Sequence, residues 1–226
     1  RDSIHLELGE GELKIEMDPV PAQKLDDSTF LTDVKTEVAA IEGDILDRPS
    51  VKRAVEGCEA VFHVAASYTF WSRDPAGVFR TNVEGTMNVL EAARKAGVSR
   101  TVYTSTVGTI GIPRNGLGTE DTVIDPKSVN GHYKGSKFQA ERKAMAIAAA
   151  GMPLVVVNPT APVGPWDVKP TPTGKMVLDF LRQKVPVYLK TGMNLVDVAD
   201  VVEGHILALD KGQSGERYIL GNQNIS

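Results

Sequence analysis

The spacing of apolar and polar residues divides the chain into a short opening part and a longer part with a different texture. Near the start, residues 4–8 and 12–17 alternate apolar and polar side chains, as half-buried strands do. Residues 9–11, Gly-Glu-Gly, lie between them and indicate a turn, so we expect a β-hairpin. The sequence from Pro19 to Thr36 shows no clear period.

From Glu37 onward, short apolar runs alternate with segments of helical period. The apolar runs and predicted strands are residues 38–41, 60–66, 100–106, 154–157, 187–189 and 217–220. The predicted helices are residues 49–57, 75–97, 133–150, 176–183 and 197–211, and the predicted loops are residues 111–129 and 169–174. The run at 60–66 is continuously apolar, which is typical of a strand buried in a parallel sheet. Strands alternating with helices favour right-handed βαβ units, so we predict an α/β fold with a doubly wound, mostly parallel sheet.

Composition narrows the class of protein. The chain has 226 residues, 42% hydrophobic and 24% charged, which is ordinary for a globular protein with one sizeable domain. A net charge of -4 without a basic block argues against nucleic acid or an anionic membrane surface as the main partner. The one cysteine, Cys58, excludes an internal disulfide, and no Cys/His cluster predicts a metal site.

Two observations bear on the compartment. The longest mostly apolar stretch, residues 144–157, is interrupted by Gly151 and Pro153 and is shorter than the roughly 20 residues that a membrane span needs. The chain also shows no charged start followed by an apolar core, which a signal peptide would have. We therefore expect no membrane span and a reducing, cytoplasmic location.

The candidate chemistry begins with a tyrosine and a lysine four residues apart. Tyr133 and Lys137 lie at the start of a predicted helix that ends before Gly151 and Pro153. Positions i and i+4 share a helix face, so the two side chains project side by side. A nearby ammonium lowers the pKa of a phenol and prepares it to exchange a proton with a hydroxyl or carbonyl. Such a pair also occurs often by chance on a surface helix, so its meaning depends on the surrounding motifs.

Polar and small residues follow several of the predicted strands. They are Gly43-Asp44, Ala65-Ala66-Ser67, Ser105-Thr106 and Asn158-Pro159-Thr160. In open parallel sheets, ligands bind beyond the carboxyl ends of the strands. The candidate site is therefore expected at this edge of the sheet.

Seven motifs in this order carry a resemblance to a known family. They are Gly43-Asp44, residues 61–66, residues 82–86 with 90–93, residues 103–106, Tyr133 with Lys137, residues 158–160 with 164–165, and residues 194–200. From about Glu37 to its end, the chain resembles the extended short-chain dehydrogenase/reductase family. Residues 131–134, 169–174 and 215–221 are most similar to the branch with hopanoid-associated sugar epimerases and dihydroflavonol-4-reductase-like members.

The resemblance implies a set of roles. By position, Tyr133 matches the acid/base, Lys137 the residue that binds the nicotinamide ribose and lowers the pKa of the tyrosine, and Thr106 the hydroxyl that meets the substrate oxygen. The residues implied to bind the cofactor, NAD or NADP, are Asp44, Ile45, Ala65, Ala66, Asn82, Thr104, Tyr133, Lys137, Pro159 and Thr160. The implied substrate is a small molecule, a sugar derivative or a ketone or alcohol, and the implied assembly is a homodimer through the helices at Pro75 and Tyr133. The resemblance leaves open whether the cofactor is NAD or NADP and whether the reaction is a reduction or an epimerisation.

The family pattern fails at one place. Family members open with a strand, a Gly-x-x-Gly-x-x-Gly turn and a helix that receive the cofactor pyrophosphate, and this sequence contains no such turn. We therefore expect a Rossmann-type fold that is incomplete at its N-terminus, with an atypical segment at 1–36, a cofactor-binding core at 37–165 and a small partial substrate lobe at 166–226. The accompanying hypothesis is a truncated fragment of a longer reductase or epimerase, and the alternative function is a non-catalytic chain.

Several candidate residues also have structural interpretations. Thr106 is a possible strand-end hydroxyl that bonds to backbone, and Asp44 a possible turn cap. His63 is expected to be a core histidine, His205 to pack or cap, and His132 is undecided. Tyr68, Phe70 and Trp71 follow a strand and could stack on a substrate or pack in a core or interface. Arg217 is interpreted as a solvated strand residue, with a substrate phosphate as the alternative.

Overall fold

The computed structural model describes residues 4–8, 13–17, 42–69, 71–113, 115–167, 170–185 and 191–225. The α-helices are α1 (Arg48–Val55), α2 (Pro75–Phe79), α3 (Thr86–Ala96), α4 (His132–Ala149), α5 (Pro172–Leu181) and α6 (Val198–Lys211). The strands are β1 (Ile4–Leu8), β2 (Leu13–Met17), β3 (Ala60–His63), β4 (Arg100–Thr104), β5 (Leu154–Pro159), β6 (Ala161–Val163), β7 (Met193–Asp197), β8 (Arg217–Leu220) and β9 (Gln223–Ile225). A π-helical segment, Arg80–Gly85, joins α2 to α3, and short 3-10 turns lie at Val107–Thr109 and Pro126–Ser128.

The opening strands pair as the alternation predicts. β1 and β2 form an antiparallel pair in which Ile4 lies opposite Met17 and Leu8 opposite Leu13. The hairpin prediction is therefore confirmed for the strands. The turn predicted at residues 9–11, the apolar run at 38–41 and the strand predicted at 187–189 lie outside the described residues.

The main sheet has the strand order β3-β4-β5-β8, and all of its pairs are parallel. Helices pack on both of its faces. On one face Tyr103 and Val156 join a core cluster with residues of α3 and α4, and on the other Val102 and Val155 pack with Ala208 of α6. The side-chain period of two in a strand explains why neighbouring residues serve opposite cores. The predicted doubly wound α/β architecture is confirmed.

A second sheet was not anticipated from the sequence. β6 pairs parallel with β7, and β7 pairs antiparallel with β9. β6 has three residues, one of them Pro162, and β9 has three exposed residues. Strands of three residues give no usable alternation, so their pairing depends on contacts distant in the chain.

The strand predicted at residues 60–66 is shorter and more exposed in the structure than the sequence indicates. β3 ends at His63, and it is the outermost strand of the main sheet within the described residues. Phe62 and Val64 are 43% and 58% exposed. A continuous apolar run indicates burial on both faces only when a strand has neighbours on both sides.

The predicted single helix at 75–97 contains a change of helical period. Asp74 caps α2 by accepting a hydrogen bond from the backbone N–H of Gly77, and Pro75 occupies the first turn. The segment Arg80–Gly85 is π-helical before α3 resumes the ordinary period. α3 ends as predicted at Gly97, whose φ of 72° is left-handed.

Helix α4 is confirmed at both ends, since it spans His132–Ala149 and Gly151 follows with a φ of 99°. The loop predicted at 169–174 is partly wrong, because α5 already begins at Pro172. Thr171 caps this helix by accepting a hydrogen bond from Gly174 N–H at 3.1 Å. Proline is common in a first helical turn, so a Thr-Pro pair can open a helix as readily as it breaks one.

Candidate active site

The carboxyl edge of the main sheet brings the three candidate catalytic residues together. Tyr133 and Lys137 lie in the first two turns of α4, and Thr106 lies two residues after β4. The Nζ of Lys137 donates a hydrogen bond to the carbonyl oxygen of Thr104 at 2.7 Å. The Thr106 hydroxyl lies close enough to the Tyr133 phenol to lower the pKa of that phenol. The predicted juxtaposition at the strand ends is thus present in the structure.

The phenol of Tyr133 sits in an environment that opposes its ionisation. Burial raises the pKa of Tyr133 to about 12, the nearby Tyr68 phenol raises this pKa as well, and the neighbouring Thr106 hydroxyl lowers it. The rings of Tyr68 and Tyr133 are tilted by 55° with their centroids 4.8 Å apart. The expected lowering of this pKa by Lys137 is therefore not found: burial has the largest effect on the phenol, and the group that lowers its pKa is Thr106.

Lys137 is an almost fully buried lysine. Only 2% of the residue is exposed, and its Nζ lies 4.6 Å from the centroid of the Tyr103 ring. Burial lowers the pKa of Lys137 to about 7, and the charge of Glu141 acts in the opposite direction. An ammonium has three donor hydrogens, and the Thr104 carbonyl accepts one of them.

Asn82, in the π-helical segment, holds the chain that follows β3. Its Nδ2 donates to the carbonyl of Ser67 at 3.1 Å and to the hydroxyl of Ser136 at 2.8 Å, and its Oδ1 accepts from Ser67 N–H at 2.7 Å. Asn82 is 1% exposed, so these bonds compensate its loss of hydration. The half-buried Ala65 and Ala66 lie in the segment that Asn82 fixes.

Pro159 and Thr160 lie at the end of β5. Pro159 is buried and pairs with Leu220 of β8. The backbone N–H of Thr160 donates to the carbonyl of Leu220 at 3.0 Å, and its hydroxyl also reaches this oxygen at 3.3 Å. The end of β5 is thus tied to β8.

Asp44 and Ile45 are held by contacts of a different kind. The Oδ1 of Asp44 accepts from the N–H of Leu46 at 2.8 Å, and the Asp44 carbonyl accepts from the hydroxyl of Ser50 at 2.8 Å. The Ile45 carbonyl accepts from Nδ2 of Asn88 at 2.9 Å. These bonds match the interpretation of Asp44 as a turn residue, and the adenine-binding role stays a prediction.

Thr106 fits both of its interpretations, a strand-end hydroxyl that bonds to backbone and a hydroxyl of the candidate site. Its Oγ1 accepts a hydrogen bond from Gly108 N–H at 3.2 Å and so caps the 3-10 turn at Val107–Thr109. The same hydroxyl meets Tyr133. A hydroxyl has one donor hydrogen and two acceptor lone pairs, so one bond leaves capacity for the other.

A buried polar cluster behind these residues was missed at the sequence level. Its members are Thr109, Glu141, Asn158 and Arg217. The interpretation of Arg217 as a solvated strand residue is wrong, because its guanidinium pairs with the Glu141 carboxylate at 3.0 Å and its side chain is 21% exposed. The available signal was the position of Glu141, four residues after Lys137 on the same helix face.

The histidines behave largely as expected. His63 is 3% exposed, burial lowers its pKa to about 3, and its Nε2 lies 2.9 Å from Oγ1 of Thr86. The Thr86 hydroxyl donates its hydrogen to the carbonyl of Asn82 at 2.7 Å, so the imidazole donates to Thr86 from Nε2. His205 packs between Oγ1 of Thr104 and the Val201 carbonyl, each at 2.7 Å.

The aromatic residues that follow β3 have different environments. Tyr68 contacts Tyr133 and places its hydroxyl 3.1 Å from that of Thr173 on α5. Trp71 is 72% exposed. Phe70 lies outside the described residues, and His132 is exposed at the start of α4.

The residues that the structure describes contain neither a metal-ligand cluster nor a membrane-spanning helix. Among these residues, no three His, Cys, Asp or Glu side chains come together as metal ligands would. None of the helices that the structure describes is both long and apolar enough to cross a bilayer.

Comparison with known proteins identifies the family. The profile of the NAD dependent epimerase/dehydratase family matches residues 19–221. Because this match covers most of the chain, the protein belongs to that family. The resemblance found in the sequence motifs is confirmed.

Individual relatives add detail. The chain is 46% identical over 191 residues to a putative dihydroflavonol 4-reductase of Synechocystis, covering 82% of the chain and 55% of the relative. It is 34% identical over 198 residues to sterol demethylase protein B of Methylococcus capsulatus, covering 84% of the chain and 60% of the relative. The chain therefore spans little more than half of the length of these relatives.

A solved structure supports the same fold. The UDP-glucose 4-epimerase of Thermus thermophilus, in complex with NAD, superposes with a TM-score of 0.69 at 27% identity. The superposition covers 81% of this chain and 63% of the epimerase.

Proposed function

We propose that the chain carries the catalytic half of an NAD(P)-dependent oxidoreductase that acts on a secondary alcohol or ketone. The observation that carries the proposal is the cluster of Thr106, Tyr133 and Lys137 at the carboxyl edge of the sheet. Membership of a family named for NAD dependence supports an enzyme with NAD or NADP as its cofactor.

Each of the three residues has a distinct proposed role. Tyr133 exchanges a proton between its phenolic oxygen and the substrate oxygen. Thr106 orients that substrate oxygen with its hydroxyl and, by its position beside Tyr133, counteracts the rise of the phenol's pKa. When bound, the cofactor supplies or accepts the hydride. Tyr68, whose tilted ring lies against that of Tyr133, excludes water from one side of the phenol.

The residues present fit the nicotinamide end of such a cofactor. Lys137 has two donor hydrogens beyond the one that Thr104 accepts, and it lies one helical turn from Tyr133, so it can bind a pair of ribose hydroxyls. Ala65 and Ala66, half-buried with short side chains, leave room along the strand end. The other residues that would contact the nicotinamide end of the cofactor are Asn82, Thr104, Pro159 and Thr160. The adenine end would lie against Asp44 and Ile45.

Reduction of a ketone is the preferred form of the reaction. The support is the relative at 46% identity, which is named a putative dihydroflavonol 4-reductase. Epimerisation of a sugar through a keto intermediate is the second form, supported by the fold shared with a UDP-glucose 4-epimerase. Both forms use the same three residues at a carbinol carbon.

A non-catalytic chain is the alternative function. It is favoured by the sequence, which has no Gly-x-x-Gly-x-x-Gly turn to receive the cofactor pyrophosphate. Without that turn, the catalytic residues would be retained while the affinity for cofactor would be weak.

Two further expectations belong to the same proposal. The homodimer would form through α2 and α4, where a groove of about 450 Å³ is lined by Phe79, Val83, Gln139 and Lys143 among others. Light scattering after gel filtration would measure the mass, and a monomer at all concentrations would exclude this dimer.

A cytoplasmic location agrees with the single exposed thiol of Cys58.

The deciding experiment is a titration of the purified chain with NADH and NADPH, followed by nicotinamide fluorescence. We expect saturable binding that Lys137→Ala weakens and Tyr133→Phe leaves nearly intact. Oxidation of the bound cofactor by a panel of ketones would then be lost in Tyr133→Phe. Thr106→Ser should retain turnover, whereas Thr106→Val should lose on the order of 100-fold or more.

The two functions predict different results in this titration. No binding of either nucleotide by a chain with a cooperative unfolding transition would support the non-catalytic alternative. Equal binding by the wild type and Lys137→Ala would contradict the proposed role of Lys137.

A further inference from the structure

A buried polar network lies directly behind the proposed catalytic residues. Glu141, which is 4% exposed, lies four residues after Lys137 on α4. Its Oε1 accepts a hydrogen bond from Arg217 on β8 at 3.0 Å. Its Oε2 accepts from the hydroxyl of Thr109 at 2.7 Å and from Nδ2 of Asn158 on β5 at 2.8 Å. One carboxylate thus connects α4, β5, β8 and the 3-10 turn after β4.

The network ends on the backbone of Thr106. The Nδ2 of Asn158 donates to the Thr106 carbonyl oxygen at 3.0 Å, and Oγ1 of Thr109 lies 2.8 Å from the same oxygen. The side chain of Thr106 is the one that meets the Tyr133 phenol. Glu141 therefore fixes, through Asn158, the peptide that aims this hydroxyl, because the Nδ2 of Asn158 has two hydrogens and can donate to both.

The network also brings a negative charge, that of Glu141, between the positive charges of Arg217 and Lys137. The Arg217 guanidinium pairs with the Glu141 carboxylate, and the charge of Glu141 favours the ammonium form of Lys137. The other titratable groups that face Lys137 are Tyr103 on β4, His63 on β3 and Tyr133 on its own helix.

Those other groups carry no charge at neutral pH. Burial raises the pKa of both phenols and lowers that of the imidazole to about 3. Among the described residues, Glu141 is therefore the formal charge that acts on Lys137.

Stability alone does not account for this arrangement. A buried ion pair is often no more stabilising than apolar residues of the same volume, because both charges lose their hydration. Here the carboxylate occupies the position from which it acts on Lys137 and on Thr106 at once. These two effects, on the charge of Lys137 and, through Asn158, on the backbone of Thr106, point to a role in the site.

We propose that Glu141 and Arg217 form a positioning pair for the proposed catalytic residues. Glu141 balances the charge of the Lys137 ammonium and fixes the backbone of Thr106, and Arg217 balances the charge of Glu141 and ties the arrangement to β8. The inference rests on the roles proposed above for Thr106, Tyr133 and Lys137. Neither member of the pair touches substrate or cofactor.

The test is an NMR titration of the Lys137 Nζ in the purified chain with isotope-labelled lysine, the signal being assigned by its loss in Lys137→Met. Glu141→Gln removes the negative charge at constant shape, so the titration midpoint should move to lower pH. Arg217→Met leaves the carboxylate uncompensated, so the midpoint should move to higher pH. Shifts of opposite sign would show that the charges of both residues act on Lys137, and the second role of the pair is measured separately below.

Matched variants separate charge from damage to the fold. Asp179→Asn removes a carboxylate from the ion pair with Lys175 on α5 and should leave the Lys137 midpoint unchanged. Thr109→Val removes one hydrogen bond of the network without changing any charge, and should also leave it unchanged. If Glu141→Gln does not fold, Arg217→Met against the charge-preserving Arg217→Lys carries the test, with a shift expected only in the first.

Hydrogen exchange measures the second role of the pair. In both Glu141→Gln and Arg217→Met, the amides of Thr109 and Ile110, which donate to Thr106 and Val107, should exchange faster than in the wild type. Shifts of the Lys137 midpoint in the same direction in both variants, or unchanged midpoints and exchange in folded variants, would overturn the proposal.

The titration requires no cofactor, so the two proposals can fail separately. A chain that binds neither NADH nor NADPH but shows opposite shifts contradicts the proposed function alone. A chain that binds cofactor with unchanged Lys137 midpoints contradicts the positioning pair alone.

Discussion

The Nζ of Lys137 donates a hydrogen bond to the carbonyl oxygen of Thr104 over 2.7 Å, within a core that leaves 2% of the lysine exposed. This contact places the ammonium at the carboxyl end of β4, one helical turn from Tyr133 on α4. Burial lowers the pKa of Lys137 to about 7, so its charge changes near neutral pH.

The first prediction concerns the pH dependence of stability. Between the folded pKa of about 7 and the ordinary value of 10.5, the unfolded chain holds a proton on Lys137 that the folded chain releases. The free energy of unfolding should therefore rise with pH across this window, by at most about 1.4 kcal/mol per pH unit. Urea denaturation as a function of pH should show this rise in the wild type and a smaller one in Lys137→Met.

The control for this prediction is Lys143→Met, which removes an exposed lysine from the same helix. It should keep the slope of the wild type. Identical slopes in Lys137→Met and the wild type would show that Lys137 is charged throughout this range.

The second prediction concerns acid. His63 has a folded pKa of about 3 against an ordinary 6.5, because burial disfavours the imidazolium. The unfolded chain binds a proton that the folded chain does not, so this group makes the free energy of unfolding fall as pH drops from about 6.5 to about 3. His63→Asn should reduce that fall, and His132→Asn, at an exposed position, should not. Equal pH dependence in both variants would contradict a neutral buried His63.

The third prediction concerns Asn82, which accepts from the N–H of Ser67 and donates to its carbonyl. Asn82→Leu leaves both groups without their partner and should lower the free energy of unfolding by about 1–3 kcal/mol. The amide of Ser67 should also exchange faster with solvent. Ser136→Ala removes only the hydroxyl that Asn82 contacts at 2.8 Å, so it should leave the exchange at Ser67 near that of the wild type. Unchanged exchange in Asn82→Leu would exclude this anchoring role.

The fourth prediction concerns the close packing of Gly85 on Ile45. A Cβ added at Gly85 would lie 2.5 Å from Cδ1 of Ile45, closer than packed carbon atoms approach. Gly85→Ala should therefore destabilise the fold by about 1–3 kcal/mol, as overpacking does. Adding Ile45→Ala should recover part of this loss, which a double-mutant cycle of thermal or urea denaturation would measure. Additive effects of the two substitutions would show that the contact is not responsible.

The sequence by itself determined the α/β class and the location of the candidate site. Local signals were sufficient for helix α4, because its helix formers and the stop at Gly151 act over a few residues. They were also sufficient for the strands of the main sheet and for the Tyr133–Lys137 pair, since the helical period alone places these two side chains on one face. The motif order then identified the family, which the match over residues 19–221 confirms.

Only the tertiary structure decided the features that depend on burial and on distant neighbours. The pKa of Tyr133 is raised because packing removes water from the phenol, and no local pattern reports how much water remains. The pairing of Arg217 with Glu141 joins residues 76 positions apart, and β6 and β9, with three residues each, are too short to show an alternation. Such contacts follow from how the helices and strands pack against one another, which the local pattern of a sequence does not encode.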